Sequence, residues 1–418
     1  MRTPYVRLLA DRRLRGLAAG DLVSSIGDGM AVVAAPWLAL QLAQAQHVSE
    51  GLAVAAAATA STLFGLPLAL AVGLGRRRFD PRSVLLADTV VRGVLFLVMG
   101  ALAAGARLPL WAFVVLLGVS SVLRTVALSS RRLILTDLAG PDQRLTVNSL
   151  ITTEESIANW TLGPALGGLL TATLGPAAVL AIDGLSFLPL LLAAMPLAPG
   201  IGGYGVEQGR GEGRSGLAVL RRHPVVIWLL LLTFGVDLLY YPVEVALPVH
   251  VAQTFASAGV LGAIWTGFGV GAIVGSFLVG LLGRVPRWGV LLGATTGWAV
   301  ALAAFAASRD PAASVAAFAV GGLLWVPFIP VAYTMVQDEV DADEQQPMIT
   351  LWNAILQGIA PLSLAASGAL VAEFGAGQTL WLSAETTLVL AAVAIAALVA
   401  ARVRANRRAR AAGEAGAP

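Results

Sequence analysis

The stretch NSLITTEESIANWTLGPALGGLL, residues 148–170, decides the fold that the sequence predicts. It is mostly apolar and long enough to cross a bilayer, yet it carries two adjacent carboxylates and a proline among glycines. Proline removes a backbone donor and glycine adds conformational freedom, and a membrane helix tolerates both where its neighbours satisfy the freed groups. Small residues also let a second helix approach closely. The stretch therefore predicts a membrane-spanning helix in close contact with other helices.

The composition extends this prediction to the whole chain. Of the 418 residues, 57% are hydrophobic and 12% are charged, and the mean hydropathy is +0.81. Soluble proteins carry about 25% charged residues. Apolar runs of about 20 residues predict twelve spanning helices, so we expect an all-α polytopic membrane protein. Cysteine and lysine are both absent, which excludes disulfides, thiolate nucleophiles and Schiff-base lysines.

The placement of arginine predicts the orientation. All 27 basic residues are arginine, and nearly all lie in the amino tail, in alternate connections or in the carboxyl tail. The exceptions are Arg92, Arg107, Arg124 and Arg309. Because basic residues favour cytoplasmic loops, we predict a multi-pass protein of the cell membrane with both termini in the cytoplasm. The basic charge is a topology signal, and nucleic-acid binding explains it less well.

A polar segment rich in glycine and arginine divides the spans six and six. The predicted units are an N-terminal six-helix bundle, a cytoplasmic linker, a C-terminal six-helix bundle and a basic cytoplasmic tail, at residues 1–197, 198–223, 224–401 and 402–418. Features of the first half recur in the second at an offset of about 206 residues. Arg12 has a counterpart in Arg221, and Asn148 has one in Asn353. The recurrence predicts parallel repeats related by an axis along the membrane normal.

Nearly the whole chain resembles the major facilitator superfamily, and within it the bacterial exporters that include enterobactin and macrolide efflux proteins. The first span, with residues 21–28 and Pro36, is similar to the opening of that group. The core of the group's antiporter motif, Gly-Pro-x-x-Gly-Gly, is matched by Gly163, Pro164, Gly167 and Gly168. Asn159 stands where the motif has an upstream glycine. The resemblance implies two pseudosymmetric six-helix bundles, and it leaves the glycines either a coupling role or a packing role.

The loop before the third span lines up with the superfamily's Gly-x-x-x-Asp-Arg-x-x-x-Arg loop, which helps to close the cytoplasmic gate. Gly73, Arg78 and Arg82 match this gating loop, whereas Arg77 replaces the aspartate. That substitution removes the acidic partner on which the family's latch depends. The acidic residues between 338 and 344 are candidate replacement partners, and a solvated acidic loop is the alternative.

Ionisable side chains inside apolar spans are the candidate functional groups, since burying a charge in a membrane is costly. The predicted proton-coupling or substrate-binding residues are Asp28, Asp237, Glu244, Glu154, Glu155 and Arg124. Binding a proton would neutralise such a carboxylate and so couple a proton gradient to movement of the site. Arg124 is the predicted counter-charge for Glu154 or Glu155, and Asp88 is predicted to pair with Arg92 four residues later. Asp183 and Glu385 receive no role.

These patterns predict a secondary transporter that exports small amphipathic molecules, such as drugs, antibiotics or siderophores, by proton antiport. Uptake of a small solute by the same fold is the alternative. The sequence has no His-Glu-x-x-His pattern and no phosphate-binding loop, so we predict no enzyme, no catalytic residue, no metal and no cofactor. The expected partners are a small-molecule substrate, protons and the lipid bilayer, and we expect a monomer.

Overall fold

A computed structural model of the chain describes residues 10–64, 80–202, 216–279, 282, 285–341 and 344–415. Gly73, Arg77 and Arg78 of the predicted gating loop lie outside these residues. Within the described residues, ten helices are long and apolar enough to cross a membrane. Two predicted spans are not among these ten. The second span is described only over the 14 residues Glu50–Leu63, and the fifth is divided by a π-helical turn. The prediction of an all-α polytopic protein is confirmed.

The described residues of the first half form seven α-helical segments. These are α1 (Arg12–Ala45), α2 (Glu50–Leu63), α3 (Pro81–Ala104), α4 (Leu110–Ala139), α5 (Arg144–Ile157), α6 (Gly163–Leu174) and α7 (Pro176–Ala194). A π-helical turn, Ala158–Leu162, joins α5 to α6, so the two segments form one span. Side-chain caps start several helices; for example, the Asp11 carboxylate accepts from the amides of Arg13 and Leu14.

The second half of the chain repeats this series after a short helix. Its segments are α8 (Gly216–Leu220), α9 (Pro224–Phe255), α10 (Ala258–Leu278), α11 (Arg287–Ala307), α12 (Pro311–Trp325), α13 (Phe328–Glu339), α14 (Gln345–Phe374) and α15 (Ala376–Ala415). Helix α8 lies inside the predicted linker and buries Val219 against the second half. Helix α15 continues through the predicted basic tail. The helix therefore continues beyond the apolar span, which covers Ala376–Ala400.

The same pairs of helices pack together in both halves. In the first half α1 packs against α6 and α7, α3 against α4 and α7, and α2 against α4. In the second half α9 packs against α14 and α15, α11 against α12 and α15, and α10 against α12. Each contact in one half has its counterpart in the other. The predicted pair of pseudosymmetric six-helix bundles is therefore confirmed.

Two equivalent helix pairs join the halves, α2 with α14 and α6 with α10. Glycine makes both contacts close. A Cβ atom added to Gly51 of α2 would lie 2.7 Å from the Val371 Cβ, and one added to Gly168 of α6 would lie 2.7 Å from the Gly262 Cα of α10. Real Cβ atoms do not approach so closely, so larger residues at these positions would force the halves apart.

These contacts lie at the end of the bundle opposite the chain termini, which we call the far end. A short polar clamp adds to them. The Gln253 amide Nε2 donates to Glu50 Oε2 at 3.1 Å, and the Gln44 amide Nε2 donates to Glu50 Oε1 at 2.8 Å. Glu50 thus connects the end of α1 to the end of α9 in the other half.

The outer surface of the bundle is apolar. Large hydrophobic side chains are exposed on helices of both halves, including Trp111, Leu192, Trp228, Phe277, Leu362 and Val389. A soluble monomer rarely exposes so many. This surface, together with the ten apolar helices, identifies a multi-pass membrane protein.

Candidate functional site

A cavity of about 380 Å³ lies between the two halves. Helices α1, α2, α3, α4 and the π turn line it from the first half, and α9 and α10 line it from the second. Four ionisable side chains of the described residues reach it, namely Asp28, Arg92, Arg124 and Glu244. Three of these were predicted as site residues from the sequence. Asp237, Glu154 and Glu155 are not among the residues that line it.

Asp28 and Arg92 form a buried ion pair in the wall of the cavity. Both guanidinium Nη atoms of Arg92 donate to the Asp28 carboxylate, and Nη1 lies 3.3 Å from Oδ2. The guanidinium carbon also lies 5.8 Å from the Phe96 ring centre and 4.7 Å from the Phe187 ring centre. Arg92 is only 4% exposed. The predicted pairing of Arg92 with Asp88 is wrong, because the long guanidinium side chain reaches across to α1.

Two further carboxylates lie near Arg92 but lack full sets of partners. Asp88 Oδ1 and Asp183 Oδ2 are buried and accept no hydrogen bond from the described residues. Asp183, on α7, is fully buried, and its Oδ1 accepts from the Ser186 hydroxyl at 3.3 Å. Phe187, on the same helix one turn later, contacts the Arg92 guanidinium. Asp183, which had no role in the sequence analysis, therefore belongs to one charge cluster with Asp28, Asp88 and Arg92.

A second buried ion pair lies closer to the chain termini. Arg131 of α4 donates through Nη1 to Asp21 of α1, and both residues are buried. The apolar run ends just before Arg131, so the sequence predicted a cytoplasmic connection there. In the structure α4 continues to Ala139 and turns Arg131 inward. A charged residue ended the predicted span too early, since sequence alone does not show the buried acid opposite it.

Arg124 does not fulfil the predicted role of counter-charge for Glu154 or Glu155. Within the described residues Arg124 makes no ion pair and no hydrogen bond, and Glu154 Oε2 accepts none. Arg124 instead lines the cavity from α4. Glu244 lines it from α9, beside the Tyr240 hydroxyl group, and forms no ion pair among the described residues. The unpaired cation and the unpaired anion thus stand on opposite halves.

Two tryptophans, one from each half, contact each other where the halves meet. Trp160 of the π turn and Trp265 of α10 both line the cavity, and their ring centres are 6.1 Å apart. Phe268 contacts both rings, at 5.9 and 6.1 Å between centres. The sequence analysis missed these two tryptophans because a single sequence does not separate cavity aromatics from lipid-facing ones.

The π turn follows from the proline that comes after it. Pro164 has no N–H to donate to the Trp160 carbonyl four residues earlier, so a regular helix would leave that carbonyl free. The turn Ala158–Leu162 is wider, and it presents the carbonyls of Trp160 and Thr161 to α10. The Thr266 hydroxyl of α10 lies 3.4 Å from the Thr161 carbonyl, and Gly269 leaves room for the Trp160 carbonyl. The carbonyls that the π turn exposes thus provide a contact between the halves.

The motif glycines pack against two different helices. A Cβ atom on Gly167 would lie 2.6 Å from the Met30 carbonyl oxygen of α1, and Gly163 touches Gly29 of the same helix. Gly168 faces α10 in the other half. The structure therefore gives the motif the packing role that the sequence left open. A coupling role for these glycines stays a prediction.

Asp237 lies inside the second half, near the polar pair formed by Tyr333 and Asn353. The Tyr333 hydroxyl donates to Asn353 Oδ1 at 2.5 Å. Asp237 makes no ion pair within the described residues. Its predicted role in coupling stays a prediction.

At the membrane surface, Arg82 and Asp80 fix the start of α3. The Arg82 guanidinium donates to the Met195 carbonyl after α7, at 2.7 Å. Asp80 is partly buried, which alone would raise its pKa, but it accepts hydrogen bonds from Ser83 and from the Gly200 amide. These bonds hold the pKa of Asp80 below its usual range.

Two of the acidic residues between 338 and 344, Asp338 and Glu344, have partners in their own half. Arg287 donates to Asp338, and Arg222 lies 3.1 Å from a Glu344 carboxylate oxygen. Arg77 and Arg78, their suggested partners, lie outside the described residues. A group of three metal-ligating side chains does not occur in the part of the chain that the structure describes.

The fold and the cavity define a class: a membrane protein built from two six-helix bundles around a central cavity. The family model of the Major Facilitator Superfamily matches residues 229–418. The multidrug efflux pump Tap of Mycolicibacterium fortuitum is 25% identical over 396 residues, which cover 90% of this chain and 93% of that protein. The Tap protein of Mycobacterium tuberculosis is 26% identical over 376 residues, or 86% and 87% of the two chains.

Solved structures show the same fold. The nucleoside transporter NupG aligns with a TM-score of 0.74 at 14% identity, over 92% of this chain and 99% of that one. A bacterial homolog of the human lysosomal transporter Spinster, inward-facing and occupied, aligns with a TM-score of 0.64 at 13% identity, over 96% and 98%. The chain resembles members of the major facilitator superfamily in sequence and in fold. It is a multi-pass membrane protein, as the sequence predicted.

Proposed function

We propose that this protein exports small amphipathic molecules by proton antiport, through alternating access to the central cavity. The observation that carries the proposal is the buried ion pair between Asp28 and Arg92 in the cavity wall. A proton and Arg92 compete for the same carboxylate. The pair therefore links the protonation of Asp28 to the packing of α1 against α3.

The rest of the charge cluster gives Arg92 an alternative when Asp28 binds a proton. A buried arginine without a counter-charge is costly. Asp88 and Asp183 each present a buried carboxylate oxygen that accepts no hydrogen bond from the described residues. A small movement of the guanidinium towards either oxygen keeps Arg92 compensated. Protonation of Asp28 then changes the contacts between α1, α3 and α7 without leaving Arg92 without a counter-charge.

The arrangement of the halves supports alternating access. The close glycine contacts and the Glu50 clamp lie at the far end, opposite the termini. With both termini in the cytoplasm, as the arginine distribution indicates, the far end is the extracytoplasmic side. We therefore describe this state as closed to the outside. Export requires that these contacts separate while the opposite end closes.

The relatives named multidrug efflux pump Tap favour export over uptake. They align over most of both chains, so the likeness is not limited to one bundle. The likeness to NupG is at 14% identity and concerns the fold alone. Uptake of a small solute stays the alternative that the experiment must separate from export.

The test uses purified protein in liposomes with an imposed pH gradient and a panel of fluorescent amphipathic molecules. An inside-acidic gradient drives accumulation by antiport, whereas an inside-alkaline gradient drives accumulation by proton symport. This holds whichever way the protein is inserted. We expect accumulation only with the inside acidic. Accumulation only with the inside alkaline would replace antiport with proton-coupled uptake.

Asp28→Asn tests the coupling residue, because the amide has the same shape and cannot exchange a proton. We expect it to abolish gradient-driven accumulation and to retain exchange of labelled for unlabelled substrate. Glu385→Gln is the matched control, since Glu385 is an exposed carboxylate on α15. It should behave as wild type. Full gradient-driven accumulation by Asp28→Asn would show that the proton binds elsewhere.

A further inference from the structure

The charges that line the cavity divide into one pair and two single groups. Asp28 and Arg92 satisfy each other. Arg124 on the first half and Glu244 on the second make no ion pair with any described residue. Unpaired charges in a membrane protein are costly, and this makes them candidates for contact with a ligand. The cavity thus offers a ligand one cationic wall and one anionic wall.

The surroundings of Arg124 leave its guanidinium available. The neighbouring hydroxyl groups are already engaged, since Ser120 donates to the Leu117 carbonyl at 2.7 Å and Ser121 donates to the Ala60 carbonyl at 3.0 Å. Both serines line the cavity beside Arg124. A guanidinium presents parallel N–H groups in a plane, a geometry that matches a carboxylate. The free group on this wall suits an anionic substituent.

The surroundings of Glu244 offer acceptors in addition to the carboxylate. Pro248, which also lines the cavity, has no N–H to donate to the Glu244 backbone carbonyl. A second proline of α9 shows how such a carbonyl is normally satisfied: Pro242 frees the Leu238 carbonyl, and the Ser363 hydroxyl donates to it at 3.0 Å. Among the described residues no side-chain donor reaches the Glu244 carbonyl.

An ammonium group fits this wall because it has several donors and no acceptor. The Glu244 carboxylate and its own carbonyl supply two kinds of acceptor on one turn of α9. Trp265 lies in the same wall, and aromatic faces attract cations. Trp160 and Trp265 contact each other, and both line the cavity.

We infer that the cavity binds zwitterionic aromatic molecules, with the ligand's carboxylate at Arg124 and its ammonium at Glu244. The inference rests on the proposed function and names the substrate class of that site. Charge balance supports it: two carboxylates and two guanidinium groups line the cavity, so a ligand of zero net charge leaves the loaded cavity neutral. A simple cation would face Arg124 without compensation, and a simple anion would face Glu244. The volume of about 380 Å³ is in the range of sites for drug-sized ligands.

The test compares three ligands that share one aromatic body. A piperazinyl quinolone is a zwitterion, its methyl ester is a cation, and its N-acetyl derivative is an anion. All three fluoresce, so equilibrium dialysis against protein in lipid nanodiscs gives each dissociation constant without any gradient. We expect wild type to bind the zwitterion roughly tenfold or more tightly than either derivative, the value of one charged hydrogen-bonded contact.

Two variants assign the charges. Arg124→Gln should weaken binding of the zwitterion and the anion and leave the ester unchanged. Glu244→Gln should weaken binding of the zwitterion and the ester and leave the anion unchanged. For each variant, unchanged binding of one of the three ligands shows that the variant is folded. The controls are Arg309→Gln in a far-end connection and Glu385→Gln on α15, both exposed and outside the cavity lining.

The outcomes separate this inference from the proposed function. Equal or weaker binding of the zwitterion than of the ester, or variants with the same effect on all three ligands, would overturn the zwitterion assignment. Gradient-driven movement of other amphipathic molecules would then still support export. Selective binding of the zwitterion without gradient-driven movement would keep the ligand class and remove proton antiport.

Discussion

The two halves of this protein have the same architecture and different chemistry. The first half contains two buried ion pairs, Asp28 with Arg92 and Asp21 with Arg131, beside the unpaired Arg124. In the described part of the second half, Asp237 and Glu244 lie within a spanning helix without an arginine partner. Small residues at the helix contacts allow the same helix pairs to pack closely in both halves. The polar residues inside each bundle are free to differ, and they make the cavity asymmetric.

The second half has aromatic packing where the first half has charge. Trp325 stacks on Phe328 at 5.2 Å between ring centres and on Tyr240 at 6.4 Å, with interplanar angles of 4° and 10°. Trp298 contacts Phe268 at 5.8 Å. Such contacts stabilise without requiring a counter-charge. We therefore propose that the first half carries most of the conformational response to protons and that the second half supplies the aromatic wall of the site.

Removing one partner of an ion pair should be far worse in the first half than removing a single acid in the second. Arg92→Leu leaves Asp28, Asp88 and Asp183 uncompensated, and we expect a loss of about 3–5 kcal/mol of stability. Glu244→Leu removes an unpaired group and should cost little. The measurement is the thermal midpoint of each variant by fluorescence-detected size-exclusion chromatography. Equal losses would contradict the contrast between paired and unpaired charge.

The second prediction concerns the contact where the halves meet. A Cβ on Gly262 would lie 2.6 Å from the Gly168 Cα, so Gly262→Ala should oppose closure of the far end. We expect an overpacking cost of about 1–3 kcal/mol, which shifts the balance towards the open far end by about 5- to 150-fold. The matched control is Gly293→Ala, where an added Cβ meets nothing within 4 Å.

The rate at which a cysteine in the cavity is labelled measures this shift. The chain has no cysteine, so Ala58→Cys, which lines the cavity, gives a single labelling site. A membrane-impermeant maleimide added outside cells should label it faster in the Gly262→Ala background and at an unchanged rate with Gly293→Ala. The same slow rate in both backgrounds would show that the glycine contact does not hold the far end closed.

The smallest effect should appear at the starts of the equivalent helices α3 and α11. Asp80 caps α3, whereas Pro286 at the start of α11 provides no side-chain cap. Asp80→Ala should cost about 1 kcal/mol at neutral pH. Because hydrogen bonds hold the folded-state pKa of Asp80 below its usual value, its charged form stabilises the fold above that usual value. The contribution disappears as the pH falls through the lower, folded-state pKa.

Thermal midpoints of wild type and Asp80→Ala, compared from neutral pH down to about pH 3, check this prediction. The difference between the two should shrink as the pH falls. Asp80→Asn keeps an acceptor and lacks the charge, so it should retain most of the capping and lose the pH dependence. A difference that stays constant with pH would show that the carboxylate charge does not contribute.

The sequence was sufficient for the fold and for part of the site. Hydropathy, arginine placement and the repeat predicted the two bundles, because each span must satisfy its backbone internally and bury little charge. The rule that membrane charges mark function also led to Asp28, Arg124 and Glu244, which all line the cavity. Their roles in coupling and binding stay predictions.

The partners of these charges were beyond the sequence. Spacing within a helix shows only neighbours three or four residues apart, so Asp88 appeared to be the partner of Arg92. The observed partner, Asp28, lies on another helix at a separation of 64 residues. The burial of Arg131 escaped for the same reason, since the acid that compensates it is on α1. Pairing between helices depends on their rotation, which a single sequence does not reveal.

The π turn before Pro164 also fixes the rotation, about the helix axis, of the segment that follows it. Such a turn contains one residue more than an α-helical turn, so everything after it is rotated by about 100° relative to an uninterrupted α-helix. Deleting one residue from Ala158–Leu162 would restore α-helical geometry, leave the carbonyl four residues before Pro164 without its donor, and turn Gly167 and Gly168 away from α1 and α10. The helix would survive such a deletion, but both of its glycine contacts would be lost. In this segment, chain length is as strongly constrained as residue identity.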